Sequence, residues 1–223
     1  MADTISARPL HAGDERTSMQ IHALGSVLSA VGLGLLIFEA LRLDSLRALL
    51  GGLAFGFALL LLYTASTLYH AARAPGVRQA LRYLDHIAIY VLIAGTYTPF
   101  TLLALRGVWG WGLLAAIWLL ALVGAAFEFG RWSRRRAPAA LVYVAMGWIG
   151  LIAIVPLHAA LAGAGMALLL AGGAAYTLGV PFYLWRRLRY HHSLWHLFVL
   201  AGSVLHFMAV LLYVLPLARA PMA

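Results

Sequence analysis

Seven long apolar stretches dominate this chain, at roughly 22–41, 48–71, 84–105, 109–127, 139–157, 163–185 and 193–217. Each can cross a bilayer as a helix, which needs about 20 predominantly apolar residues. A spanning segment has to satisfy its backbone N–H and C=O groups internally, so the pattern predicts an all-α bundle of seven transmembrane helices. Composition agrees: 64% of the 223 residues are apolar and 10% are charged, against about 25% charged in a soluble domain. There is no cysteine, which excludes disulfides, thiolate metal sites, iron–sulfur clusters and cysteine nucleophiles. Any metal must then be held by histidine, carboxylate or water.

The formal charge of +9 comes entirely from arginine on the basic side, for there is no lysine. With a cytoplasmic amino terminus, Arg8, Arg16, Arg73, Arg78, Arg82, Arg131, Arg134, Arg135, Arg136, Arg186, Arg187 and Arg189 all fall on one face. Arg42, Arg47, Arg106 and Arg219 fall on the other. Twelve against four predicts, by the positive-inside bias, a cytoplasmic amino terminus and an external carboxyl terminus. Residues 1–20 then form a short cytoplasmic segment without the features of a signal peptide. Residues 21–217 form the membrane domain and 218–223 a short external tail. The charge reads as orientation and as contact with anionic lipid headgroups, with no nucleic-acid partner. Glycines within the spans suit close helix packing, and Pro99 and Pro181 sit inside the third and sixth.

Ionisable groups within or beside a span are costly and mark function. Here they are Glu39, His70, Asp85, His86, Glu128, His192, His196 and His206. The predicted topology ends the second span at His70 and starts the third at Asp85 and the seventh at His192, so these residues meet at one depth. His192 and His196 are four apart, about 40° around a helix and about 6 Å along it, so both imidazoles can face one point. Ser66 stands one turn below His70 on the same face. Such a histidine pair also occurs as a polar rim or packing pair, but the convergence of His70 and Asp85 on it favours a metal. Three imidazoles leave one tetrahedral position of Zn²⁺ open to water, the arrangement of catalytic zinc. Asp85 can then act as general base toward that water.

The remaining groups read differently. His206 lies about 15 Å further along the helix than His196, too far to share a metal with it, and reads as a hydrogen-bonded residue of a cavity wall. His86 is about 100° around from Asp85 and falls to one side of the site, as an alternative ligand at most. Glu39 and Glu128 are expected to snorkel or to pair with Arg42 and Arg131, and His191 reads as a rim residue.

Taken together, these stretches resemble the hemolysin III proteins, the bacterial branch of the progestin and adipoQ receptor family that includes the adiponectin receptors. The resemblance runs through Glu15 and Ile21-His22-Ala23-Leu24-Gly25, Ser66-Thr67-Leu68-Tyr69-His70, and Leu84-Asp85-His86-Ile87 with Gly95 and Pro99. It continues in His192-Ser193-Leu194-Trp195-His196 and His206-Phe207. It implies seven helices in a bacterial cytoplasmic membrane, with zinc held at His70, His192 and His196 and with Ser66 and Asp85 beside the metal and its water. The wider superfamily's alkaline ceramidases imply hydrolysis of an amide or ester in a membrane lipid. In that reaction Asp85 would take the proton and Ser66 would orient the water or the oxyanion. Against the hydrolase stands a non-enzymatic reading, a cytolysin or a modulator of membrane state.

Overall fold

The structure is a computed structural model that describes residues 11–105, 107–129, 136–161 and 163–219. Seven helices are long and apolar enough to cross a membrane: α1 (Ala12–Arg42), α2 (Leu46–Ala71), α3 (Pro75–Ala104), α4 (Gly107–Phe127), α5 (Ala137–Ala160), α6 (Gly163–Leu184) and α7 (His191–Arg219). No strand occurs among the described residues. The chain is a multi-pass integral membrane protein, as its apolar runs predict.

Helix α2 lies between α1 and α3, α6 packs along α7, and α1 also meets α7. Consequently α2 and α3 are the most enclosed helices, while Leu35 and Phe38 of α1 and Leu119 and Leu122 of α4 face outward. Such outward apolar side chains match a lipid solvent. Close approach of α2 and α3 rests on missing side chains. A Cβ on Gly95 would stand 2.6 Å from the Ala58 Cβ and 2.9 Å from the Ala54 carbonyl oxygen.

The helix ends follow from local chemistry. Ser45 caps α2 by accepting the Ala48 N–H at 3.3 Å, after a turn in which Asp44 takes a left-handed φ of 48°. At the other end of α2 the Arg78 guanidinium donates to the carbonyls of Tyr69 and Ala72, each at 3.3 Å, satisfying acceptors that a helix terminus leaves open. Pro75 starts α3, where its missing N–H costs nothing. Past Pro99 the same helix widens into a π-turn over Phe100–Ala104. Helix α5 tightens into a 3-10 turn at Ile149–Ala153. The Tyr97 hydroxyl of α3 stabilises that break, accepting the Gly150 N–H at 2.8 Å and donating to the Gly147 carbonyl at 2.7 Å.

Two helices begin earlier than their apolar runs. Helix α1 starts at Ala12 rather than near residue 22, and α3 at Pro75 rather than near 84. In α1 the reason is an inverted amphipathic pattern. Asp14, Ser18, His22, Gly25 and Ser29 form a buried polar and small stripe, while Val27 and Val31 are exposed. Hydropathy alone sees the polar residues and starts the span too late; the bundle interior supplies Asp14 and Ser18 with partners.

Candidate metal centre

Three helices bring the histidines together. The last two turns of α2 carry Ser66 and His70, the first half of α3 carries Asp85 and His86, and the first turns of α7 carry His192 and His196. One donor nitrogen from each of His70, His192 and His196 lies within 4.8 Å of the others. The Nε2 atoms of His70 and His196 are 3.1 Å apart. Two imidazoles bound tetrahedrally at about 2.0–2.1 Å would hold their nitrogens roughly 3.3 Å apart, so the spacing fits a shared ion. Beyond His196, its Nδ1 is buried and has no hydrogen-bond partner in the protein. The three-histidine group is thus positioned to hold a metal ion.

The start of α1 supports this group at four points. Glu15 Oε2 lies 2.7 Å from His70 Nδ1, and its other oxygen pairs with the Arg78 guanidinium. A carboxylate on Nδ1 fixes the tautomer that leaves Nε2 for a metal, the usual second layer around a ligating histidine. Asp14 Oδ1 accepts the Ser193 N–H at 2.9 Å and Oδ2 the His192 N–H at 3.4 Å. Tyr190, the residue before α7, has a left-handed φ of 59° and gives the helix no side-chain cap. Asp14 therefore serves as the cap from a different helix, where its charge also suits the positive end of α7. Ser18 Oγ lies 3.2 Å from Ser193 Oγ. His22 packs its ring 3.8 Å from that of His196, and neither of its buried nitrogens has a protein partner.

Asp85 and Ser66 stand beside the histidines. The Ser66 side chain is wholly enclosed one turn before His70 on α2, and the Asp85 side chain is buried. Asp85, His22, His192 and His196 line one cavity with His86 and, at the far end, His206. This mostly apolar cavity runs as a channel from His192 and His196 to His206, where a second cavity adjoins it and shares Thr96, Tyr97, Trp148, Gly173 and His206.

Several placements differ from the sequence reading. Glu39 pairs with Arg42 at 2.8 Å, as expected. Glu128 does not snorkel: it is 2% exposed, lies 3.1 Å from His86 Nδ1 and accepts the Tyr143 hydroxyl at 3.1 Å. The partner proposed for it, Arg131, lies outside the described residues. His191 is buried rather than at a rim. His206 donates from Nε2 to the Leu169 carbonyl at 3.1 Å in the cavity wall, as expected. The sequence reading assigns no role to Asp14 or Ser18, and Glu15, His22 and Ser193 enter it only through the resemblance. The four-residue steps of Asp14, Ser18 and His22 place them on one helix face, and only the tertiary packing shows that this face is buried.

Fold and site together define a seven-helix integral membrane protein with a buried histidine cluster at one end of an internal cavity. A family model described as Haemolysin-III related matches residues 10–207. Hemolysin-3 of Bacillus cereus is 46% identical over 197 residues, covering 88% of this chain and 90% of the relative. Hemolysin-3 homolog of Bacillus subtilis (strain 168) is 44% identical over 192 residues, 86% of this chain and 90% of the relative. A more distant similarity joins the Monocyte to macrophage differentiation factor of Homo sapiens, 26% identical over 165 residues, 71% of this chain and 68% of that one. The chain belongs to the hemolysin III family.

Proposed function

We propose that the protein is a zinc-dependent hydrolase of a lipid amide or ester, with the metal held by His70, His192 and His196. The observation that carries this reading is the buried Asp85 and Ser66 beside a three-histidine group, at the head of a mostly apolar channel. A structural metal site has no use for a channel, whereas a lipid hydrolase needs room for an acyl chain next to its polar chemistry. Zinc bound there supplies a Lewis acid that activates water and polarises the substrate carbonyl. The chain's own residues do the rest. Asp85 accepts the proton of the attacking water, and the Ser66 hydroxyl donates a hydrogen bond that orients the water or the developing oxyanion. Glu15 and Asp14 hold His70 and the start of α7 in place through those steps.

On this reading the substrate is a membrane lipid reaching the channel from within the bilayer. Exposed Arg73, Arg186, Arg187 and Arg189 at the same end of the bundle as the histidines offer contacts to anionic headgroups on the cytoplasmic side. The test is fatty-acid release from a long-chain N-acyl lipid by the purified protein in nanodiscs. Zinc-loaded protein should hydrolyse it and Asp85→Asn should not. Full activity in Asp85→Asn removes the proposed base.

A second reading, cytolysis without catalysis, is favoured by one observation: both bacterial relatives carry the name hemolysin. Leakage of dye-filled liposomes that is indifferent to His70→Ala, His192→Ala and His196→Ala would support it over the enzyme.

A further inference from the structure

Hydrolysis of an amide needs more than a base for water, because an amine leaves only when its nitrogen is protonated. Asp85 and Ser66 serve the attacking side of the carbonyl, and neither accounts for a second polar group in the same cavity. That group is built on His86, the residue after Asp85 on α3, about 1.5 Å further along the axis.

Three observations define it. His86 lines the cavity together with Asp85, His192 and His196. Its Nδ1 lies 3.1 Å from Glu128 Oε2, a carboxylate that is 2% exposed at the end of α4. The other oxygen of Glu128 accepts the Tyr143 hydroxyl of α5 at 3.1 Å. Both carboxylate oxygens are thereby committed, and three helices converge to hold one imidazole. A carboxylate on Nδ1 fixes the ring and its tautomer, leaving Nε2 as the nitrogen that exchanges protons, the logic of a carboxylate–histidine pair in hydrolases generally. A buried acid engaged in this way is expensive to keep in a membrane bundle unless it has a task.

We propose that the Glu128–His86 pair is the general acid that protonates the leaving group. The proposal rests on the hydrolase reading above. In the step, the water oxygen bonds to the carbonyl carbon and its proton passes to Asp85. Asp85, which lines the same cavity as His86, passes that proton through cavity water to Nε2 of the imidazole, whose Nδ1–H stays on Glu128. When the tetrahedral species collapses, the C–N bond breaks, its electron pair stays on nitrogen, and that nitrogen takes the Nε2 proton. The products are a carboxylic acid and an amine, and both protein groups end as they began. Glu128 remains a carboxylate throughout and acts as a positioning residue.

Two probe substrates test the assignment, an N-palmitoyl alkylamide and 4-nitrophenyl palmitate, assayed on the zinc-loaded full chain in nanodiscs. The ester's leaving group departs without protonation, whereas the amide's does not. His86→Gln should lower the amide-to-ester rate ratio by about 100-fold or more, the usual worth of a general acid, with zinc content unchanged. Glu128→Gln keeps the shape and should lower the same ratio by a smaller factor, which decides the matter if His86→Gln fails to fold. An unchanged ratio in these variants overturns the proposal while leaving the hydrolase intact. Failure of the wild-type protein to cleave either probe removes the hydrolase reading, and this assignment with it.

Discussion

Glu15 Oε2 and His70 Nδ1 lie 2.7 Å apart across the contact between α1 and α2, tying the first helix to a ligand of the candidate metal. The same carboxylate pairs with Arg78, so an acid with two oxygens is shared between an imidazole and a guanidinium. Glu15→Gln keeps the size and loses the charge. It should weaken zinc binding by about 10–100-fold, the usual cost of losing such a support, as read by competition with a chromophoric chelator. Unchanged affinity would show that His70 needs no carboxylate to orient it.

Asp14 caps α7 from outside that helix, so its loss reaches both stability and the site. Asp14→Ala should destabilise the protein by about 1–2 kcal/mol, the upper part of the range for a lost cap, because two N–H groups lose their acceptor. Thermal unfolding in detergent measures this. The variant should also bind zinc more weakly, since His192 occupies the turn that the cap holds. Unaltered unfolding would remove Asp14 as the cap.

Asp85→Asn separates binding from chemistry. It should retain zinc and lose turnover by about 10²–10⁴-fold, the range for a general base. Metal analysis alongside lipid hydrolysis checks both halves, and loss of zinc together with activity would make Asp85 a ligand instead.

The packing of α2 on α3 gives a prediction independent of function. Gly95→Ala places a methyl group against Ala58 and the Ala54 carbonyl and should cost about 1–3 kcal/mol, as overpacking does. Gly112→Ala meets nothing within 4 Å and should leave unfolding unchanged or slightly raise its midpoint.

The parts of this molecule that were legible in the sequence are those in which hydropathy and function point the same way. Seven apolar runs became seven helices, and the four-residue spacing of His192 and His196, set against His70, became a histidine group of donor distance. What the sequence does not show lies where lipid and protein exchange roles as solvent. Asp14, Ser18 and His22 look like a polar leader because nothing in one helix shows that its polar face turns inward. Glu128 looks like an end-of-helix acid for the same reason, since its partners His86 and Tyr143 are 42 and 15 positions away. Both cases need a tertiary contact that no local pattern carries.

Metal content of the purified protein tests most directly whether His70, His192 and His196 hold one zinc ion. Wild-type protein should carry about one zinc per chain and His192→Ala should lose most of it, with the variant still folded by circular dichroism. Metal content that stays the same in folded His192→Ala would contradict the account.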